Sequence, residues 1–142
     1  MIHDDAPAGV VLALHRAAHT TLHALGARLA ALDLPAPDMN ALANLAGGGR
    51  RTVGELARAT ATKPTTLTSV LDRLARRGFI ARELDPADRR SFLIALTPGG
   101  EAAARTVAAA VRDLELQALA GVTEADLAGF HAVARALLEV SA

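Results

Sequence analysis

The chain has 142 residues, 51% of them apolar, and a formal net charge of zero. This length indicates one domain, or one domain with a dimerisation extension, and the apolar side chains suffice for a core. It contains no cysteine, so disulfide frameworks, zinc–thiolate sites and thiol redox sensors are excluded. No apolar run is long enough to span a bilayer, and the N-terminus is unlike a signal peptide, so we expect a soluble cytoplasmic protein without membrane contact.

The first third of the chain is predicted to be helical. Apolar residues recur every three or four positions over residues 8–32, which predicts a long amphipathic helix that ends at the prolines of DLPAP. A short second helix over 38–46 precedes three glycines. Thr52 has capping-box spacing to Glu55, so a third helix should begin at Thr52 and continue to about Thr60.

A fourth helix and a hairpin occupy the middle of the chain. Pro64 suits the first turn of a helix, and Gly78 is a typical helix stop. The runs 79–84 and 91–96 predict two strands joined by a six-residue loop. Two long helices, each with a threonine at its start, are predicted over residues 97–120 and 123–140.

The zero net charge hides an uneven distribution. Between Arg50 and Arg90 there are ten Lys or Arg residues and five Asp or Glu residues, a local excess of +5. The rest of the chain has five basic and ten acidic residues, a balance of −5. A basic centre between acidic ends is expected when one part of a protein contacts a polyanion.

The third and fourth helices are short and separated by a tight turn, which is the pattern of a helix-turn-helix. The apolar side of the fourth helix should pack on the third. The candidate DNA contacts of its outward side are Thr65, Thr66, Thr68, Ser69, Arg73 and Arg76. Short hydroxyl side chains let a helix approach base edges closely, and arginines reach phosphates. Because threonines near a helix start also serve as caps, the prediction depends on the combination with the hairpin.

The hairpin carries the charged loop DPADRR. A ribbon that follows a recognition helix can extend along the duplex, and an arginine at its tip can enter the minor groove, where the potential is most negative. Asp88 stands two residues before Arg90 and can hold that arginine extended. This spacing favours Arg90 for insertion, and Arg89 is then a phosphate contact or a solvated charge.

The stretch LDRLARRGFIAR leading into DPADRRSFLIALTPGG resembles the recognition-helix-to-wing signature of the MarR family of bacterial transcription regulators. The resemblance implies a mainly α fold with a small β-hairpin, in which a winged helix-turn-helix lies between long dimerisation helices. It implies three parts: an N-terminal dimerisation helix (1–35), the DNA-binding domain (36–100) and C-terminal dimerisation helices (101–142). It also implies an obligate homodimer on a pseudo-palindromic operator of double-stranded DNA. Such a dimer is usually a repressor, and a small-molecule effector often lowers its affinity.

The resemblance also assigns roles to individual residues. The base-reading positions of the family are occupied here by Thr65, Thr66 and Ser69. Many relatives have arginine where this chain has Ser69. Arg90 matches the minor-groove arginine of the wing, and Asp88 matches its orienting partner. Arg73 matches a position often tied to the backbone or to a nearby acid, and Asp85 fits an acidic position at the base of the wing.

His15, His19 and His23 are spaced by four on one side of the first helix, next to its apolar stripe. They are candidates for a polar wall of an effector pocket or for a proton switch at a dimer interface. A metal site would need a further ligand, such as Asp4, and we predict no metal site. The plainest interpretation is that they border a buried face and satisfy local hydrogen bonds.

Three classes of function remain after this reading. The first is an effector-responsive DNA-binding dimer, and the second is a constitutive or architectural DNA-binding protein without an effector. The third is a small enzyme, which is poorly supported because the chain has no nucleophile motif and no phosphate-binding loop. We therefore expect a protein that is not an enzyme and needs no cofactor.

Overall fold

A computed structural model describes residues 9–141 of the chain. The helices are α1 (Val10–Arg28), α2 (Ala36–Leu45), α3 (Val53–Thr60), α4 (Pro64–Arg76), α5 (Pro98–Ala118) and α6 (Glu124–Ser141). The strands are β1 (Arg51–Thr52), β2 (Ile80–Leu84) and β3 (Phe92–Leu96), and a short 3-10 turn (Ala30–Leu32) follows α1. The predicted fold class, mainly α with a small β-hairpin, is confirmed. Within residues 9–141, no helix is both long and apolar enough to cross a membrane.

The first helix is shorter than its periodicity predicts. It ends at Arg28, and the chain then makes the 3-10 turn and passes through Asp33, which has a φ of 50°. The second helix begins at Ala36, two residues earlier than predicted, because Pro37 is tolerated in a first turn that needs no donor from it. The predicted start at residue 8 lies outside the described residues.

The caps predicted at Thr52 and Thr123 and the helix stop predicted at Gly78 are confirmed. The backbone N–H of Glu55 donates to Thr52 Oγ1 at 3.1 Å, and that of Asp126 donates to Thr123 Oγ1 at 3.1 Å. At the end of α4, Gly78 has a φ of 75°, and the N–H of Phe79 donates to the carbonyl of Leu74 at 2.9 Å. This pattern is a Schellman motif, for which glycine is favoured because it adopts positive φ without strain.

The sheet has one strand more than the sequence predicts. β3 pairs with β2 on one side and with the two-residue β1 on the other, both antiparallel, in the order β1-β3-β2. Arg51 lies opposite Ile94, so β1 joins the hairpin to the start of α3. A two-residue strand has no alternation of its own to detect, and only its partner makes it a strand.

The core lies between α2, α3, α4 and the sheet. Its fully buried side chains include Leu42, Leu45, Leu56, Leu67, Leu74 and Ile94. Ala103 and Ala104 of α5 complete this cluster, and a second, smaller one is formed by Leu29, Met39 and Val107. The core therefore fixes α4 on one side and leaves its other side free.

Two compact units divide the chain, and the border falls between Val111 and Arg112, within α5. The first unit holds the helix-turn-helix, the sheet and the clusters described above. The second unit holds the end of α5 and all of α6. This border coincides with neither border of the predicted division into residues 1–35, 36–100 and 101–142. That division was made by function, and it remains a prediction.

Candidate nucleic-acid interface

The outer side of α4 presents a row of small hydroxyl side chains. Leu67, Val70, Leu71 and Leu74 are buried against the core. The hydroxyl side chains on the opposite side are exposed: Thr65, Thr66, Thr68 and Ser69. They occupy the first two turns of the helix, where backbone N–H groups also point outward. This end of a helix favours contact with an anion, so the row suits approach to a nucleic acid.

The four hydroxyl groups differ in their freedom to form new hydrogen bonds. Thr68 Oγ1 donates to the carbonyl of Pro64 at 2.9 Å, so only its lone pairs are available. Thr65, Thr66 and Ser69 make no side-chain hydrogen bond within the described residues and can either donate or accept. Because both base donors and base acceptors line the major groove, such groups can contact several bases.

Arg73 pairs with a buried acid, while its own side chain remains 39% exposed. Its Nε and Nη2 atoms donate to the two carboxylate oxygens of Asp38 at 3.0 and 2.7 Å, and Asp38 is fully buried in α2. The hydrogen bond to Asp38 raises the pKa of the Arg73 guanidinium above its ordinary value. Of the two roles implied for Arg73, contact with a nearby acid is the one seen, and the pair joins α2 to α4.

Other arginines near α4 also have internal partners. Arg77 donates to the carbonyls of Leu32 and Asp33 at 2.8 and 3.0 Å, which satisfies the end of the 3-10 turn. Arg82 of β2 pairs with Asp72 of α4 at 2.6 Å, and this pair ties the hairpin to the helix. These contacts place the hairpin, and they reduce the number of cations available to a ligand.

Arg76 and Lys63 are the exposed cations at the two ends of α4. Arg76 makes one long hydrogen bond, 3.4 Å, to the carbonyl of Asp72. Lys63 occupies the N-cap position beside the hydroxyl row and has no acidic partner within the described residues. The helix-turn-helix pattern did not identify Lys63 as a candidate DNA contact, because Lys63 precedes the helix. It is, however, one of the ten basic residues counted between Arg50 and Arg90.

The wing, residues 80–96, ends in a loop that two aspartates organise. Asp85 Oδ1 accepts from the backbone N–H of Ala87 at 2.9 Å, and Asp88 Oδ1 accepts from that of Arg90 at 3.0 Å. The N–H of Ser91 donates to the carbonyl of Asp88 at 3.0 Å, so Ser91 belongs to the loop and β3 begins one residue later than predicted. Short side chains that bond to nearby backbone stabilise turns of this kind.

Arg89 and Arg90 lie at the tip of the wing, and both are exposed. Neither guanidinium forms an ion pair or side-chain hydrogen bond within residues 9–141. The contact between Asp88 and Arg90 is made by the backbone N–H of Arg90, so Asp88 sets the direction of the chain from which that side chain projects. The Arg90 side chain is therefore on an ordered loop and free to reach outward.

An apolar cavity of about 440 Å³ lies beside α2. Its lining comes from α1, α2 and α5, together with Thr62 from the turn before α4. The lining does not include His15, His19 or His23, which are exposed on α1. His19 and His23 contact each other edge to face, with ring centroids 4.9 Å apart. The three histidines therefore do not line this cavity within the single chain, and their role at an effector site stays a prediction.

No group of three His, Cys, Asp or Glu side chains with metal-binding geometry occurs within residues 9–141. Asp4, which a histidine-based metal site would have drawn on, lies outside the described residues.

Comparison with known proteins agrees with this geometry. The sequence model of the MarR family matches residues 32–91. The HTH-type transcriptional repressor Rv2887 of Mycobacterium tuberculosis is 32% identical over 120 residues, which are 84% of this chain and 85% of that protein. A shorter match to the HTH-type transcriptional regulator YcgE of Bacillus subtilis is 39% identical over 64 residues, 45% of this chain and 42% of that protein.

Solved structures of MarR family regulators resemble this chain over nearly its whole length. A MarR family transcriptional regulator from Silicibacter pomeroyi superposes with a TM-score of 0.79 at 25% identity, over 99% of this chain and 97% of that one. The likeness extends over the terminal helices as well as the helix-turn-helix. The chain belongs to the MarR family of DNA-binding transcription regulators.

Proposed function

We propose that the protein is a homodimeric repressor that binds a pseudo-palindromic operator and is released from it by a small molecule. The observation that carries this proposal is the pairing of an exposed hydroxyl row on α4 with unpaired arginines at the tip of an ordered wing. The first suits base edges in the major groove, and the second suits phosphates or the minor groove. A protein of this function works where chromosomal DNA is, in the cytoplasm, and catalyses no reaction.

The terminal helices support a homodimer. α1 has 19 residues and α6 has 18, and neither has a buried residue within the single chain. Exposed apolar side chains on them include Leu12 at 76%, Phe130 at 54% and Leu138 at 57% of full exposure. An amphipathic helix gains most of its stability from burial of its apolar side, so these helices need a second surface. On this basis residues 1–35 and 101–142 are the dimerisation segments and 36–100 the DNA-binding domain.

Sedimentation should report a dimer at micromolar concentration. High salt should leave the dimer intact, because apolar burial is not screened by ions as charge pairing is. Phe130→Glu should shift the equilibrium toward monomer, since each dimer would lose two apolar side chains, at about 1.5–3 kcal/mol each when fully buried. A parent protein that sediments as a monomer in this range contradicts the proposed architecture.

Ser69→Ala should lower operator affinity by about 1 kcal/mol for each half-site, the usual net contribution of one hydrogen bond. The loss should depend on the base pair that Ser69 faces and should leave the salt dependence of binding unchanged. Fluorescence anisotropy on an operator selected from random DNA, and on variants of it, measures both. Thr68→Val is the matched comparison: the Thr68 hydroxyl hydrogen is already donated to Pro64, so this hydroxyl can only accept and its loss should lower affinity less than Ser69→Ala does. A changed salt slope without a changed base preference would assign Ser69 to the phosphates instead.

The cavity between α1, α2 and α5 supports the proposed release by a small molecule. It lies within the first unit, and α2, which lines it, also carries Asp38, the partner of Arg73 on α4. The second candidate function is constitutive DNA binding by the same helix and wing. Titration of the operator complex with small molecules separates the two, since only the first function predicts loss of DNA binding on addition of a cavity ligand.

A further inference from the structure

The cavity beside α2 is formed by apolar and small side chains. Leu25 of α1, Leu29 directly after that helix, Met39 of α2 and Val107 of α5 supply its apolar surface. Alanines at 18, 36 and 43 provide the space between them. A volume of about 440 Å³ is within the range of sites that hold drug-sized molecules, roughly 300–1,000 Å³. The volume and lining therefore suit a compact apolar body, such as a ring system, better than a polar metabolite.

The described lining contains no ionisable side chain. Its polar side chains are Thr21, Asn40 and Thr62, all of them neutral. Transfer of a carboxylate or ammonium group into apolar surroundings is strongly unfavourable unless an opposite charge meets it there. The cavity therefore disfavours both anionic and cationic ligands relative to uncharged ones of the same shape.

The hydrogen-bonding state of these three side chains defines what they can accept or donate. Thr21 Oγ1 donates to the carbonyls of Ala17 and Ala18 at 2.9 and 3.0 Å, and Thr62 Oγ1 donates to that of Thr60 at 3.2 Å. Both hydroxyl hydrogens are committed to the backbone. Each hydroxyl therefore offers lone pairs to a ligand and requires a donor from it.

Asn40 offers the opposite function. Its Oδ1 accepts from Asn44 Nδ2 at 3.3 Å, and its own Nδ2 has no partner within the described residues. The amide N–H groups are thus available to an acceptor on a ligand. A molecule that carries a donor and an acceptor on an apolar ring body can pair with Asn40 and with either threonine without any charge.

We propose that the cavity binds an uncharged, mainly apolar ring compound with one donor and one acceptor, and that Asn40 determines this specificity. The inference depends on the proposed effector function, because it names the ligand class of that site. Asn40 lies on the same helix as Asp38, whose carboxylate holds Arg73 of α4. A ligand that contacts Asn40 therefore contacts the helix that anchors the DNA-reading element.

The experiment compares two probes of nearly identical shape, 2-naphthamide and 2-naphthoate, by calorimetry with the full-length protein in the absence of DNA. At neutral pH the first is uncharged, with an amide donor and acceptor, and the second is an anion. The parent protein should bind the amide at least about tenfold more tightly, because a difference of only about 1.4 kcal/mol produces that ratio. Equal affinity, tighter binding of the carboxylate, or no binding of either probe at millimolar concentration would overturn the proposal.

Asn40→Lys provides the sharper test, since it introduces a cation at the cavity and should reduce or reverse the preference for the amide. Ala27→Lys is the matched control: it adds the same charge at an exposed position of α1 that is outside the lining and makes no contact with Asn40, and it should keep the parent's ratio. Ala43→Phe should abolish binding of both probes by filling the cavity. Unchanged ratios in Asn40→Lys, or equal changes in both lysine variants, would remove Asn40 from the site.

A parallel titration of the operator complex keeps this proposal separate from the proposed function. If the amide binds selectively but leaves the protein on DNA, the ligand class stands and the effector function fails. If the protein does not bind an operator at all, the calorimetric ratio still decides the ligand class.

Discussion

Replacing Arg90 with alanine is expected to weaken operator binding by about tenfold or more for each half-site, because a hydrogen bond to a charged group contributes about 1.5–3 kcal/mol. The Arg90 guanidinium has no internal partner within the described residues, so the substitution should not change the stability of the fold. Preference for A·T pairs at the flank should decline together with affinity, since a narrow minor groove is what attracts an inserted arginine. Anisotropy titrations at several salt concentrations, on operators with A·T or G·C flanks, measure both effects.

Arg89→Ala is the matched control at the adjacent exposed position. It removes the same charge from the same loop but lacks the hydrogen bond from its backbone to Asp88 that directs Arg90. Its loss of operator affinity should be smaller than that of Arg90→Ala and uniform across DNA sequences. It should appear mainly as a change of about one in the slope of log affinity against log salt concentration. A larger sequence-dependent loss for Arg89→Ala than for Arg90→Ala would exchange their roles, and full binding by both would contradict the wing assignment.

Gly100→Ala is expected to have the largest effect on the fold. A Cβ atom at Gly100 would lie 1.8 Å from the carbonyl oxygen of Phe79 and 2.7 Å from its carbonyl carbon. Both are backbone atoms, so no side-chain rotation can relieve the overlap. The free energy of unfolding should fall by about 3 kcal/mol or more, at or beyond the upper end of overpacking costs.

This close approach occurs where α5 begins against the link between α4 and β2. The N–H of Thr97 donates to the Phe79 carbonyl at 3.0 Å, and that of Gly100 donates to Thr97 Oγ1 at 3.0 Å. Operator binding by Gly100→Ala should therefore decline along with stability, because the same link positions the wing.

Gly99→Ala is the control for this prediction, and urea denaturation followed by circular dichroism measures both variants. The nearest atoms to a Cβ at Gly99 are 3.9 Å away, an ordinary contact distance. Alanine there should leave the protein as stable as the parent, or raise its stability by about 0.5–1 kcal/mol, since glycine in a helix carries an entropic cost. A Gly100→Ala protein that unfolds at the parent's urea concentration would show that the α5 start can move away from Phe79.

Much of this fold follows from interactions between residues close in sequence. The amphipathic stripe of α4, the caps at Thr52 and Thr123, and the glycine stop at Gly78 all involve neighbours within five positions. Their geometry is set by local backbone preference and by the alternation of apolar and polar side chains, so the residues alone predict them. The hydroxyl row and the charged loop were predicted for the same reason.

The tertiary structure decided which of the predicted residues are available to a ligand. Arg73 and Asp38 are 35 positions apart and meet only when α2 packs on α4, which gives a candidate DNA contact an internal acidic partner. β1 exists only because β3 lies beside it. Part of the apolar stripe of α1 lines a cavity, while His15 and His19 are not in its lining, and the helical period alone does not show which residues of a helix will line a cavity. The sequence by itself determined the local elements and their family, whereas packing between distant segments determined which charges are neutralised and where a cavity forms.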